Sequence, residues 1–167
     1  MKTKVIIVLV APLLFISGLI VGKHNPKNSD EGKILGLNHV GLRVSNFNKA
    51  VDFYQNDLGF PMIYRFNKEE SKPIFAYVQI NKSTFIELLP ADEEHPVGID
   101  HFGLETHNNE KVVSAFHSLG LECTKSTTSP FTRVNIAHVI DPNGIYFEII
   151  EATEGSDLKR VMDNWKE

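Results

Sequence analysis

Residues 38–44 read Asn-His-Val-Gly-Leu-Arg-Val, and residues 100–106 read Asp-His-Phe-Gly-Leu-Glu-Thr. The second stretch begins 62 residues after the first, and the His, Gly and Leu occupy the same places in both. A recurrence of this kind indicates that the chain contains two copies of one structural unit.

Two further matches have nearly the same spacing. Leu-Gly-Phe at 58–60 is followed 61 residues later by Leu-Gly-Leu at 119–121. Phe-Ile-Glu-Leu-Leu at 85–89 is followed, again 61 residues later, by Tyr-Phe-Glu-Ile-Ile at 146–150. Residues 35–152 are therefore predicted to form one domain of two tandem modules, 35–90 and 98–152.

Each module has the pattern β-α-β-β-β, which predicts an α+β fold. Alternating apolar residues predict the strands, and Asn46 and Gly59 mark the beginning and end of the first helix. The C-terminal segment 153–167 is predicted to be a helix that begins at Ser156 and packs on the domain or on a second subunit. The predicted strands are 35–44, 60–66, 74–80, 83–89, 98–106, 121–125, 134–140 and 144–151, and the second helix spans 108–119.

The N-terminal segment differs from the rest of the chain. Lys2 and Lys4 precede an uncharged apolar run from Val5 to Val21, and the polar linker 23–34 follows it. A basic start before such a run is typical of an exported protein. Residues 1–22 are therefore predicted to be a cleaved signal peptide or an anchor in the membrane, which places the domain outside the cytoplasm.

The composition limits the kinds of function. A net charge of -4, with scattered arginines, excludes an extended basic surface for nucleic acid. The one cysteine, Cys123, excludes an internal disulfide and a zinc site built from cysteines.

Four residues at equivalent places in the two modules are the candidate site: His39, Glu87, His101 and Glu148. A Glu within an apolar strand is costly unless it is paired or binds a metal, and here it occurs twice. Two imidazoles and two carboxylates suit one divalent ion, which could be Zn²⁺, Ni²⁺, Co²⁺, Fe²⁺ or Mn²⁺.

Two-residue turns in both hairpins would place the carboxylates beside small residues. On that register Glu87 faces Ala76 and Glu148 faces Ala137, which leaves room for a ligand. The same register places His138 opposite Phe147, on the side of the sheet that the helices cover.

The two modules, the spacing of the four residues and the phrases Asp-Phe-Tyr…Leu-Gly-Phe and Asp-Pro-Asn-Gly…Glu resemble the vicinal oxygen chelate superfamily, glyoxalase type. The resemblance covers residues 36–152 and implies a cupped half-barrel of about eight strands around one metal ion. Glu87 favours the glyoxalase I type, in which Glu87 and Glu148 are the catalytic carboxylates. By the same resemblance Arg43 would bind an anionic group of the substrate.

Several functions stay open at this point. The first is a metal-dependent lyase or isomerase that moves a proton next to a chelated carbonyl, for example in a thiol adduct of methylglyoxal. The second is an epimerase or an iron-dependent dioxygenase, and the third is a protein that binds a ligand without catalysis. The positions after Glu87 lack the asparagine that holds glutathione in glyoxalase I, so the substrate is open. A homodimer is expected, with the site inside one chain or shared between two.

Overall fold

The computed structural model describes residues 32–70 and 72–166 of the chain. The predicted leader 1–22 and most of the linker 23–34 lie outside these ranges, so export stays a prediction. Within the described ranges, no helix has the length and apolarity that crossing a bilayer requires.

One sheet of eight strands forms the frame of the molecule, in the order β2-β3-β4-β1-β5-β8-β7-β6. It curls into a half-barrel, which confirms the predicted fold class. The strands are β1 Ile34–Val44, β2 Met62–Glu69, β3 Lys72–Asn81, β4 Thr84–Pro90, β5 Gly98–Thr106, β6 Thr127–Thr128, β7 Asn135–Ile140 and β8 Tyr146–Glu151. The helices are α1 Phe47–Asp52, which continues as a π-helical turn over Phe53–Asp57, α2 Asn109–Ser118 and α3 Asp157–Asp163.

The two modules meet at the centre of the sheet. The first strands of the modules, β1 and β5, pair antiparallel, and each has a parallel neighbour from its own module, β4 and β8. The start of each helix is also as expected, because the side chains of Asn46, Asn108 and Ser156 accept hydrogen bonds from backbone N–H groups of the first turn.

The core is divided between the two faces of the sheet. The amphipathic helices α1 and α2 cover one face, where Phe47 packs near Leu88 and Val112 packs near Ile149. On the other, concave face, α3 inserts Leu158 and Met162 into a cluster of aromatic and branched residues. The C-terminal helix thus packs on its own domain.

The predicted strand 121–125 is wrong. It is reduced to one bridge, between Cys123 and Val139, and the edge of the sheet is formed by the short β6 instead. Leu121 is exposed, so this segment has little apolar surface to hold it against the sheet.

The predicted register of both hairpins is also wrong by one residue. The β3–β4 loop is Lys82-Ser83, because the Asn81 side chain accepts hydrogen bonds from the Ser83 and Thr84 N–H groups, and a bulge precedes it. The β7–β8 loop spans 141–145 and is closed by Asp141 in the same way.

The shift changes the neighbours of both carboxylates. Glu87 lies opposite Tyr77 and not Ala76, and Glu148 lies opposite His138 and not Ala137. His138 therefore does not lie opposite Phe147 and shares the face of the sheet with Glu148.

Candidate metal centre

Two rows of residues run across the strands and form the site. In the first row, Tyr77 on β3, Glu87 on β4, Gly41 on β1 and His101 on β5 are successive partners. The side chains of Tyr77, Glu87 and His101 lie on the concave face. The glycine separates the carboxylate from the imidazole, and because it has no side chain the ring of His101 occupies the space above it.

The second row is the equivalent of the first in the other module. His39 on β1, Gly103 on β5, Glu148 on β8 and His138 on β7 are successive partners. The two modules therefore contribute the same motif, a glycine between a Glu and a His, in adjacent rows. All four predicted residues come together within a single chain, so no second chain is needed to assemble them.

The two glycines are the reason that the imidazoles fit. A Cβ atom on Gly41 would stand 2.5 Å from Cε1 and 2.6 Å from Nδ1 of His101, closer than real Cβ atoms approach. A Cβ atom on Gly103 would collide with the ring of His39 in the same way. Each ring thus lies close against the backbone of the other module, which explains why the Gly recurs two residues after each His.

The four side chains converge on one point. The Nε2 atoms of His39 and His101 are 3.0 Å apart. Glu87 Oε2 lies 3.1 Å from His101 Nε2, and Glu148 Oε2 lies 3.4 Å from His39 Nε2. Each carboxylate is 3.8 Å from the other imidazole. All four residues are at least nine-tenths buried.

The outer nitrogen of each imidazole is held by the residue that precedes it. Asp100 Oδ2 lies 2.7 Å from Nδ1 of His101, and Asn38 Oδ1 lies 3.0 Å from Nδ1 of His39. Since both oxygens are acceptors, each Nδ1 donates and carries the proton. The Nε2 atoms then face each other and are the nitrogens left to bind a metal ion, the arrangement typical of metal-binding histidines.

Asn38 and Asp100 were not predicted as site residues, although both stand immediately before a His in the repeat. Strict alternation would place them on the face away from the site. Each lies instead at a bulge between β1 and β5, which turns its side chain toward the neighbouring ring.

Arg43 supports this arrangement at the edge of the site. Its Nε donates to Asp100 Oδ1 at 2.6 Å, and its Nη1 donates to the Pro90 carbonyl at 3.2 Å. Burial favours a higher pKa for Asp100, but the hydrogen bonds from Arg43 and His101 outweigh it and hold that pKa below its usual range. Arg43 thus lines the cavity with its guanidinium already paired, and its binding of a substrate anion stays a prediction.

The carboxylates also have neighbours other than the two imidazoles. Tyr146 Oη donates to Glu148 Oε1 at 3.3 Å, and His138 Nε2 lies 3.6 Å from the same oxygen. Burial would raise the pKa of Glu148, but His138 and His39 hold it well below its usual range. Tyr77 is buried beside Glu87, and both burial and that carboxylate raise the pKa of its hydroxyl.

Tyr77, Tyr146 and His138 are further site residues that the sequence did not reveal. Tyr77 and His138 are missed because of the wrong hairpin registers. Tyr146 lies two residues before Glu148 on the same strand, so its position on the site's face could have been found from alternation alone.

The donor set fits a divalent cation. Two unprotonated nitrogens and two carboxylates that meet in a buried space repel one another unless a proton or a cation lies between them. Two ligand atoms that are each about 2.1 Å from one ion stand roughly 3.0 to 3.4 Å apart, for right-angled and tetrahedral geometry. The shortest distance between two candidate ligand atoms is the 3.0 Å between the Nε2 atoms of His39 and His101. The candidate ligand atoms of His39, Glu87 and His101 all lie within 4.8 Å of one another.

The family follows from comparison with known proteins. The model of the Glyoxalase/Bleomycin resistance protein/Dioxygenase superfamily matches residues 36–149, and the chain belongs to this superfamily, which confirms the resemblance seen in the sequence. Over 130 residues it is 29% identical to a lactoylglutathione lyase of Neisseria meningitidis, covering 72% of this chain and 94% of the lyase.

Two solved structures share the fold. The methylmalonyl-CoA epimerase of Mycobacterium tuberculosis matches with a TM-score of 0.61 and 18% identity, over 72% of this chain and 89% of the epimerase. The Mn(II)-bound glyoxalase of Novosphingobium aromaticivorans matches with a TM-score of 0.63 and 16% identity, over 76% of this chain and 41% of that protein.

The close approach of glycine and imidazole predicts the effect of one added methyl group. Gly41→Ala and Gly103→Ala should each weaken Zn²⁺ or Mn²⁺ binding by roughly 10- to 100-fold, because the facing ring must move. Competition with a chelating dye measures the affinity, and circular dichroism checks the fold. Gly36→Ala is the matched control on β1, where a Cβ meets nothing within 4 Å, and its affinity should be unchanged. Wild-type affinity in both site variants would contradict the role given to these glycines.

The electrostatics of His101 predict a proton release. Burial alone would lower the pKa of His101, but Glu87, Glu148 and Asp100 raise it to about 9 when protons alone neutralise the cluster. In metal-free protein this proton stabilises the fold below pH 6.5, and the stabilisation disappears as the pH rises through 9.

A metal ion must displace that proton. Near pH 7.5 binding should therefore release about one proton per ion, and the release should fall toward zero well above pH 9. Titration calorimetry in two buffers of different ionisation enthalpy measures the number. A release that does not change between pH 7 and pH 10 would show that His101 is not the group displaced.

Proposed function

We propose that this protein is a metal-dependent enzyme of the glyoxalase I type, in which His39, Glu87, His101 and Glu148 hold one divalent ion. The proposed reaction is proton transfer between two adjacent carbons, one of which carries a carbonyl oxygen bound at the site. The observation that carries the proposal is that both carboxylates direct one oxygen to the imidazoles, while the second oxygen of Glu148 accepts a hydrogen bond from Tyr146 and Tyr77 lies opposite Glu87.

A bound divalent ion would supply Lewis-acid polarisation of the substrate carbonyl. Glu148 would accept the proton from one carbon and return it to the neighbouring carbon. The product is therefore an isomer of the substrate. In a thiol adduct of an α-ketoaldehyde this isomerisation yields an α-hydroxy thioester. Tyr146 would hold Glu148 Oε1 during the transfer, and Tyr77 would hold Glu87.

Glu148 is the stronger candidate for the base because it has a connection to solvent. The His138 side chain, 3.6 Å from Glu148 Oε1, is 38% exposed. A proton on Glu148 could therefore exchange with water through His138 during the reaction. Glu87 is buried to nearly the same extent as Glu148, but its neighbour on the adjacent strand is the buried Tyr77.

An epimerase on the same scaffold is the second candidate, since epimerisation also begins with removal of a proton next to a carbonyl. The fold shared with methylmalonyl-CoA epimerase supports it. The two are distinguished by product: a lyase yields a thioester from an aldehyde and a thiol, and an epimerase interconverts two stereoisomers.

The experiment uses the full chain reconstituted with Zn²⁺, Ni²⁺, Co²⁺, Fe²⁺ or Mn²⁺. It is assayed with α-ketoaldehydes and several thiols, in D₂O, with thioester formation and deuterium incorporation as readouts. We expect turnover with at least one thiol and partial incorporation of solvent deuterium. Oxygen uptake with Fe²⁺ and no thioester with any thiol would contradict the proposal and favour a dioxygenase.

Substitution of the base should separate catalysis from metal binding. Glu148→Gln, with kcat expressed per bound ion, should lower kcat by about 10²- to 10⁴-fold because the amide cannot accept the proton. Glu87→Gln should lower it less. The exposed Glu93→Gln is the matched control and should leave kcat unchanged. Full activity per ion in Glu148→Gln would show that another group is the base.

A further inference from the structure

The site opens into a cavity of about 550 Å³, large enough for a small-molecule ligand. Its two ends differ in chemistry. Three of the four site residues, Glu87, His101 and Glu148, line the cavity together with Tyr77, Asp100 and Tyr146. An apolar wall forms another part of the lining, and the remaining lining residues are Arg43, His95, Ser129 and Thr132. The apolar wall is formed by Phe75, Leu89, Phe131, Val134, Ile136 and Ile150.

Aromatic packing holds the wall in place. The ring of Phe75 lies 5.4 Å from that of Phe131, at an interplanar angle of 86°, and both rings contact Phe66. Edge-to-face packing of this kind favours defined ring positions over loose ones. Phe75 is buried, whereas Phe131 is 39% exposed and forms the lip of the cavity.

The loop that carries Phe131 is anchored on both sides. The Ser129 hydroxyl accepts hydrogen bonds from the N–H groups of Phe131 and Thr132. The Arg133 guanidinium pairs with Asp157 at the start of α3. The apolar wall is thus held in a defined position next to the site, and Leu89, Phe131 and Ile136 are its more exposed members.

The charges of the cavity oppose a large anionic substrate. Among the described residues that line it, Arg43 is the only Lys or Arg, and it is already paired with Asp100. His95 at the rim is paired with Asp92. A peptide thiol with two carboxylates, or a nucleotide carrier with phosphates, would find no unpaired cation here and would lose solvation without compensation.

We infer that the substrate is a compact molecule with two adjacent oxygens for the four-residue site and an uncharged aromatic or branched apolar group that packs on the Phe75–Phe131 wall. It carries neither a glutathione-like peptide nor a coenzyme A-like nucleotide. For the oxygen-binding end the inference rests on the proposed function. For the other end it rests on the apolar wall and on the paired cations of the cavity.

The test compares two hydroxamates that present the same pair of oxygens to a metal ion. Benzohydroxamate and acetohydroxamate are titrated calorimetrically into the full chain reconstituted with Zn²⁺. Because the phenyl group would be buried on the wall, benzohydroxamate should bind about 10-fold more tightly or better. Equal affinity, or tighter binding of acetohydroxamate, would overturn the assignment of the apolar group.

A variant locates the effect. Phe131→Ala should reduce benzohydroxamate affinity by about 10-fold and leave acetohydroxamate within about 2-fold. Phe53→Ala, which removes an exposed ring outside the cavity, is the matched control and should change neither. A wild-type preference that survives in Phe131→Ala would overturn the role of this wall. If Phe131→Ala does not fold, the comparison of the two hydroxamates on the wild-type chain still tests the apolar assignment.

Failure of the inference can be told from failure of the proposed function. If neither hydroxamate binds the reconstituted chain, the oxygen-binding end is wrong and the proposed function fails with it. If both bind equally, only the apolar assignment fails. Turnover gives a second readout: kcat/KM should be higher for phenylglyoxal with 2-mercaptoethanol than for methylglyoxal with glutathione, and the reverse order would overturn the inference.

Discussion

Two imidazole nitrogens and two carboxylates meet in a space that only two glycines keep open, and this convergence is the constraint on which the rest of the structure depends. With Nδ1 of each ring donating outward, the Nε2 atoms of His39 and His101 face each other at 3.0 Å. Burial makes this arrangement costly unless positive charge lies at its centre. The sheet stabilises it by placing the groups on four adjacent strands, β4, β1, β5 and β8, with the antiparallel β1–β5 pair in the middle.

The two halves of the site are related by the repeat but are not equivalent. One ring is supported by the carboxylate of Asp100, itself paired with Arg43, and the other by the amide of Asn38. At the outer ends of the rows, buried Tyr77 stands on one side and half-exposed His138 on the other. These differences give two similar carboxylates different surroundings, which is the condition for different roles in proton transfer.

The sequence predicts those features that repeat or alternate. The recurrence of His and Glu identified the modules and the four central residues, and the caps at Asn46 and Ser156 identified two helix starts. What it did not predict depends on departures from regularity. Side chains of Asn81 and Asp141 set the hairpin loops, and with them the partners of Glu87 and Glu148. Bulges at Asn38 and Asp100 turn these residues toward the rings, against the period of a strand. Phe131 lies in a loop, where no periodicity indicates which way a side chain points.

The most direct measurement of the central claim is anomalous diffraction from crystals of the reconstituted full chain, collected at the absorption edge of the added ion. One peak is expected about 2 Å from Nε2 of both His39 and His101, with oxygens of Glu87 and Glu148 as further ligands. A peak elsewhere in the molecule, or none among these four side chains in protein reconstituted with Zn²⁺, Ni²⁺, Co²⁺, Fe²⁺ or Mn²⁺, would contradict it.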